Sequence, residues 1–509
     1  MTLTSDDQQQ HHHHHHHHQV IYATSVPFKN EKDSIYPDTD RSVSKNVRMA
    51  HLPMNRSGSF QEFCNNHFGT HNSRPDRPGL VLFDRFYTEE AHSFRFHKQF
   101  PETPLILDMQ DFHAMRLGRH NIVKQFDRLH SDSRKEDPNY DPFECLPSVM
   151  DYYPTLENTT TNHYHINNRN IHTTREENQV EQTFLREMAS IQRSDMTLVC
   201  SPYEMELLEH EYHIPKDKLC LAPFFVDSTV TSKPLLPPRP VTSDNHPIRF
   251  IFCGGFRHAP NVDAVDVLLQ HIWPNIRSQL SSLSSDTQKT TATLHIYGAF
   301  CPSSLKEKYN DKSNPTGVYV HGYAPNLIDV FCGSDNNSSS SSSSCTILLA
   351  PVRFGAGIKG KIVDAWTFGV PVVTTPVGSE GMVTTRTATT TKEGSIIDSS
   401  RRFAGRVAST ADEFVHEAVS LATNNELYET TRQEGYDAIH RLFPADRNWN
   451  NVEQNLMQLL PDDESNCISS NLQSRRRHDY TRALLWHQSS RSTECLSRWI
   501  ECKELRQHK

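Results

Sequence analysis

The chain has 509 residues, room for two globular domains. Only 35% of them are hydrophobic and mean hydropathy is −0.65, so part of the chain stands outside any core. A formal net charge of −9 supplies no basic field, which excludes nucleic acid as a first expectation; no run of ~18 apolar residues marks a transmembrane segment.

The 11 cysteines contain no CxxC clamp and no disulfide framework, and read as reduced thiols of a cytoplasmic protein. Residues 1–19 are a low-complexity tail ending in the histidine tract His11 to His18 and Gln19, able to bind metal but unable to build a core. Val20 to Thr24 reads as a short strand, after which order fades to about residue 79. From there strands and helices alternate, the α/β pattern. Gly79 to Asp84, Pro104 to Asp108 and Met196 to Cys200 are predicted buried strands. Gln179 to Ser194, apolar at 184, 185, 188 and 191, is a predicted amphipathic helix. The polar stretch from about 130 to 178 reads as an insertion, which gives an N-terminal domain over 20–231.

The proline-rich run Ser232 to Pro240 continues neither helix nor central strand and opens a linker over 232–247. A second α/β series follows over 248–445. Its strands are expected at Ile248 to Cys253, Thr293 to Tyr297, Val318 to Val320, Thr346 to Leu349 and Val370 to Thr374, with a serine-rich surface insertion at 334–344. A C-terminal helix is expected at 446–461 and a tail at 462–509. In that tail Arg475-Arg476-Arg477 reads first as a solvated charge run, with a localisation or partner patch as the alternative, and Leu484 to Leu505 permits a helix.

The chemistry concentrates at Arg353-Phe354-Gly355-Ala356-Gly357-Ile358-Lys359-Gly360-Lys361, after the strand at 346–349. That loop lies at a strand's carboxyl end, the edge of an open α/β sheet where ligands bind. Gly355, Gly357 and Gly360 permit unusual dihedrals and close approach to amide N–H groups. The helix starting near Lys361 aims its free N–H groups at the same place, and Lys359 and Lys361 add two charges. The combination fits a diphosphate better than a turn with two solvated lysines. Asp364, one turn further on, suits ribose hydroxyls rather than phosphate; favouring the helix N-terminus is the alternative. Gly254-Gly255-Phe256-Arg257-His258 repeats the strand, glycine and basic-residue order at the start of the same domain.

Taken together, Gly254-Gly255-Phe256, His258, Pro260-Asn261, Ile272-Trp273-Pro274, Gly322-Tyr323, the 353–361 run and Pro371-Val372-Val373-Thr374-Thr375 resemble family 4 type glycosyltransferases, in the bacterial-like group with an FGAGIKGK motif. Leu82 to Glu90, Asp108-x-x-Asp111-x-His113 and Ser201-x-x-Glu204 resemble the N-terminal half of the same group. The resemblance implies a GT-B fold, two Rossmann-like domains facing across a cleft. It implies sugar transfer from a nucleoside diphosphate sugar with retention of configuration, to an acceptor that is a glycan, lipid or small molecule, with no obligatory metal and no cofactor.

Carried over, the donor-binding set is Gly254, Gly255, Arg257, His258, Asn261, Gly355, Gly357, Lys359, Lys361, Asp364 and Glu380, with Arg257 and Lys361 on phosphate and Asp364 on ribose. The catalytic set is Asp111, His113 and Arg116, with His113 positioning acceptor or donor sugar or being structural. Where many members carry two glutamates eight apart, this chain has Ala356 and Asp364. Such enzymes open with a strand, a glycine loop and a helix, and that unit is expected to be missing here, either through loss or because the sequence starts too late. A non-catalytic nucleotide-sugar-binding protein is therefore the second reading, and an epimerase on a similar fold the third.

Overall fold

The computed structural model describes residues 20–24, 47–52, 58–68, 78–130, 140–156, 175–227, 248–283, 292–310, 316–333, 345–385, 401–460 and 469–487. The histidine tract, the proline-rich linker, the serine-rich insertion and the end of the tail lie outside these residues. The chain divides into two compact units, Met1–Val81 with Glu90–Thr103, and Leu82–Glu89 with Pro104–Lys509.

In the first unit, β1 (Val20–Thr24) pairs in parallel with β2 (Val47–His51). Helix α1 (Ser59–Phe68) sets Phe60, Phe63 and Phe68 edge-on against Phe96 and Phe100. Within the stretch where the sequence suggests that order fades, the described residues 47–52 and 58–68 thus form a strand and a helix. Phe60, Phe63, Cys64 and Phe68 repeat at helical spacing, a short signal masked by polar flanks.

The second unit holds two sheets. The first, in the order β3-β4-β5-β6, comprises β3 (Val81–Asp84), β4 (Leu105–Asp108), β5 (Met196–Val199) and β6 (Leu219–Leu221); β4–β5 and β5–β6 are parallel. Helices α2 (His113–Leu129), α3 (Arg175–Arg193) and α4 (Pro202–His210) connect and cover its strands. The strands are short and apolar because both faces are covered.

The second sheet comprises β7 (Ile248–Cys253), β8 (Ala292–Tyr297), β9 (Val318–Gly322), β10 (Cys345–Ala350), β11 (Val372–Thr374) and β14 (Arg406–Val407), in the order β14-β11-β10-β7-β8-β9. Two further strands, β12 (Val383–Thr385) and β13 (Arg401–Phe403), form a small antiparallel pair. All five pairings in the six-stranded sheet are parallel. Counted from β7 this is strand order 3-2-1-4-5-6, the doubly wound arrangement, and its topological switch lies between β7 and β10. Phe250, Phe252, Ile347 and Leu349 fill one side of the sheet and Ile251, Leu348 and Val372 the other.

Two sequence expectations change. Within the supposed insertion, Phe143, Cys145, Leu146 and Val149 are buried in the same core as Phe250 and Phe414, and Asp141 accepts from Ala411 N. The few apolar residues there sit together, so composition averaged over the stretch hid them. The arginine run is likewise no solvated tail. Helices α5 (Ser470–His478) and α6 (Tyr480–Trp486) follow the C-terminal helix Ala445–Met457, and Arg476 makes two hydrogen bonds, of 2.7 and 2.6 Å, to the buried carboxylate of Asp195. Arg482 adds a 3.2 Å contact to the same group, and Asp195 is held below the ordinary aspartate range. Burial alone would raise it, but the hydrogen bonds and charges of Arg476 and Arg482 prevail.

Candidate active site

At the switch point the loop after β10 meets the loop after β7. Helix α7 (Gly360–Thr367) follows the glycine loop, and no side chain caps its first turn. Lys361, on that turn, donates from Nζ to Asn261 Oδ1 at 2.6 Å, and its ammonium lies 4.2 Å from the Phe252 ring centre. Asn261 in turn donates to Gly255 O at 3.0 Å, so one chain of bonds ties the two glycine loops together. Burial and then the charge of Lys359 lower Lys361 to about 8. Asp364, one turn along, has no hydrogen-bond partner for its carboxylate among the described residues, and burial raises it to about 6. A partly desolvated cation and an unused carboxylate side by side make a place prepared for phosphate and hydroxyl groups.

The helix α2 faces this place from the other sheet. Its first turn has no cap of its own, and the buried carboxylates of Glu187 and Glu204 serve instead. Glu187 accepts from His113 N and Ala114 N, each at 2.8 Å, and Glu204 accepts from Phe112 N at 3.0 Å. His113 Nδ1 lies 3.1 Å from Glu187 Oε1 and 3.0 Å from Asp111 O. Those contacts fix the ring, leaving Nε2 with no partner among the described residues. Arg116 is ion-paired with Asp111 and is lowered chiefly by burial. His258, although part of its surface reaches solvent, is pushed down to about 4. Loss of hydration is the main cause, followed by the charges of Arg116, Lys361, Lys359 and His113. Residues from both sheets thus surround one electropositive point.

The glycines of the two loops differ in their surroundings. Of Gly254, Gly255, Gly355, Gly357 and Gly360, Gly255 alone would give an added Cβ open space; at Gly254 it would lie 2.6 Å from the Asn261 side chain. Gly357, at φ +65°, would put a Cβ 3.0 Å from Asp111 Cβ, so this glycine serves the close approach of the two halves. Lys359 turns its Nζ back to Gly357 O at 2.7 Å and satisfies its own loop. Arg257 lies over the Phe300 ring, 3.5 Å from its centre, and outside the buried cluster.

Glu380, expected near the donor, is buried against Arg119. Arg119 Nη1 and Nη2 donate to its two oxygens at 2.7 and 2.8 Å, and Nη1 also reaches Gly355 O at 2.9 Å. Arg353 makes a second such link, with 2.9 Å bonds to both oxygens of Asp127 on α2 and a 3.0 Å bond to Asp263. Sequence reasoning missed Arg119 and Glu187 and gave Arg353 no role of its own within the motif, because contacts between residues far apart in the chain leave no local pattern. Glu204 had a signal in Ser201-x-x-Glu204, where Ser201 caps the helix, but the spacing does not reveal the carboxylate's partners.

Residues 247–413 match the family model described as Glycosyl transferases group 1. The matched span holds the six-stranded sheet from β7 to β14, so the likeness to glycosyltransferases of that group lies in this half of the chain, and it supports a glycosyl transfer function. The parallel doubly wound sheet, facing a second parallel sheet, is consistent with a GT-B fold. No curated protein matches this sequence.

Among solved structures, a sucrose-phosphate synthase from Thermosynechococcus elongatus is 12% identical with a TM-score of 0.46, over 84% of this chain and 86% of that one. HepE from Anabaena, in complex with UDP and glucose, is 7% identical with a TM-score of 0.43, over 82% and 88%. TarM is 10% identical with a TM-score of 0.36, over 54% of this chain and 46% of its own, so the chain spans about half of that protein's length. Likenesses this remote assign no residue a role. Among the described residues no helix is long and apolar enough to cross a membrane, and no group of three or more His, Cys, Asp or Glu side chains is placed to hold a metal ion.

Proposed function

We propose that the chain transfers a sugar from a nucleoside diphosphate sugar to an acceptor hydroxyl, with retention of anomeric configuration. The observation that carries this reading is the Lys361–Asn261–Gly255 chain of bonds at the switch point, with the unused Asp364 carboxylate beside it and His113 opposite. In this reading Lys361 and the first amides of α7 hold the diphosphate, and Asp364 accepts from the ribose hydroxyls. His113 offers Nε2 to a sugar hydroxyl, its ring locked by Glu187 and Asp111.

As the glycosidic bond breaks, negative charge grows on the departing diphosphate. Fixed cations in a site of low polarity stabilise it most at that moment. The acceptor hydroxyl approaches from the side the diphosphate leaves and passes its proton to the departing phosphate oxygen. The enzyme's share is orientation and charge stabilisation. A cytoplasmic site of action belongs to the same reading, supported by the free thiols of the described cysteines.

The test is release of nucleoside diphosphate from UDP-, GDP- and ADP-sugars. Turnover of one class, lost in Lys361→Ala and slowed in His113→Asn, is the expected result. Nucleotide binding without turnover on any donor or acceptor would favour the non-catalytic binding protein instead.

A further inference from the structure

The buried carboxylate of Glu204 touches both halves of the site with a single oxygen. Its Oε1 accepts from Phe112 N, at the start of α2, at 3.0 Å, and from Gly357 N, in the glycine loop, at 2.8 Å. Its Oε2 is also buried and has no partner. On the other side of the same loop, Arg119 donates to Gly355 O at 2.9 Å. An acid and a base carried by the four-stranded half therefore grip two peptide groups of one loop. A buried carboxylate keeping one oxygen unsatisfied is costly, and Phe112 N and Gly357 N are the contacts that set against that cost.

We infer that Glu204 is a positioning residue that fixes the glycine loop, and through it Lys361 and α7, at the right distance from His113 and Arg116. The inference rests on the proposed nucleotide site and adds a control of that site by the opposite half. Glu204 is raised to about 7, by burial first; Lys359 lowers it and Glu380 raises it, and Arg119, Arg116, Cys200 and Tyr203 are its other charged or titratable neighbours. An ionised carboxylate is the stronger acceptor for two N–H groups, so the grip weakens as the proton is taken up below about 7.

Binding of UDP, GDP and ADP is measured by titration calorimetry between pH 5.5 and 8.5 on wild type, Glu204→Gln and Glu204→Ala, with thermal melting as a check of folding. Glutamine keeps one oxygen for the two amides and cannot titrate. It is expected to bind within about threefold of wild type at pH 6 to 8 and to lose the fall that wild type shows below about 7. Alanine is expected to bind at least about tenfold more weakly while still melting cooperatively.

Equal affinity and an unchanged pH profile in both variants would overturn the inference while leaving the nucleotide site intact. If wild type binds none of the three nucleotides, the functional proposal fails instead. The positioning claim is then decided by hydrogen exchange of the segment 353–361, expected to accelerate in the alanine variant and to be rescued in the glutamine one. Exchange unchanged in alanine, or accelerated equally in both variants, would overturn it.

Discussion

Replacing Arg119 by methionine tests the link between the two sheets. The Arg119 side chain is 0% exposed and that of Glu380 4%, and two bonds of 2.7 and 2.8 Å join them. Burial would lower the arginine, but the hydrogen bonds and charge of Glu380 raise it, so the pair is held by mutual stabilisation. Removing one partner leaves Glu380 buried without its counter-charge, which costs about 3–5 kcal/mol. Gly355 O loses its donor as well, adding about 1 kcal/mol.

Urea unfolding followed by circular dichroism reads the loss as a lower midpoint at unchanged slope. The double variant Arg119→Met with Glu380→Met removes the uncompensated charge and is expected to recover most of the loss. A single variant less than about 1 kcal/mol below wild type would match an exposed pair and refute the reasoning.

Other outcomes follow from the same geometry. Nucleotide affinity is expected to decline above about 8, as Lys361 loses its proton, and again below about 6, as Asp364 gains one; Lys361→Ala abolishes the alkaline decline and Asp364→Asn the lower acidic one. The nucleotide's own phosphate titrates near ~6, equally for every variant, so the comparison between variants reads the protein. In Gly118→Ala the new Cβ would stand 2.1 Å from the Tyr152 hydroxyl, an overpacking that should cost about 1–3 kcal/mol in urea midpoint.

Asp195→Ala leaves Arg476 and Arg482 without their shared carboxylate, and limited proteolysis should then cut within 469–487 before the rest of the chain. Because Asp195 is depressed, its contribution is complete above the ordinary aspartate range and disappears as pH falls through its folded value. Acid should therefore release the same helices in wild type.

Five strands of the six-stranded sheet were legible because each is a largely apolar run bounded by polar or glycine-containing loops; β14, two residues of which one is charged, was not. Strand order was not, since pairing of β7 with β10 joins residues about a hundred positions apart. The donor loop could be read from its glycines and lysines, whose types state their chemistry. The roles inside it could not: Lys359 serves its own loop, Gly357 serves the contact with Asp111, and Glu380 serves Arg119. The last two depend on a partner supplied by another segment, and the first on how the loop itself turns. The buried stretch 143–149 and the docked arginines at 475–482 failed for a further reason, because composition averaged over a window cannot separate a few anchoring residues from their polar surroundings.

The most direct test of the account is titration of UDP, GDP and ADP into the full chain at pH 7, beside Lys361→Ala and Asp364→Asn. The account predicts that one nucleotide binds preferentially and that each substitution weakens it at least about tenfold, one through phosphate and the other through ribose. Binding undiminished in both variants, or no binding to a wild-type chain that melts cooperatively, would contradict it.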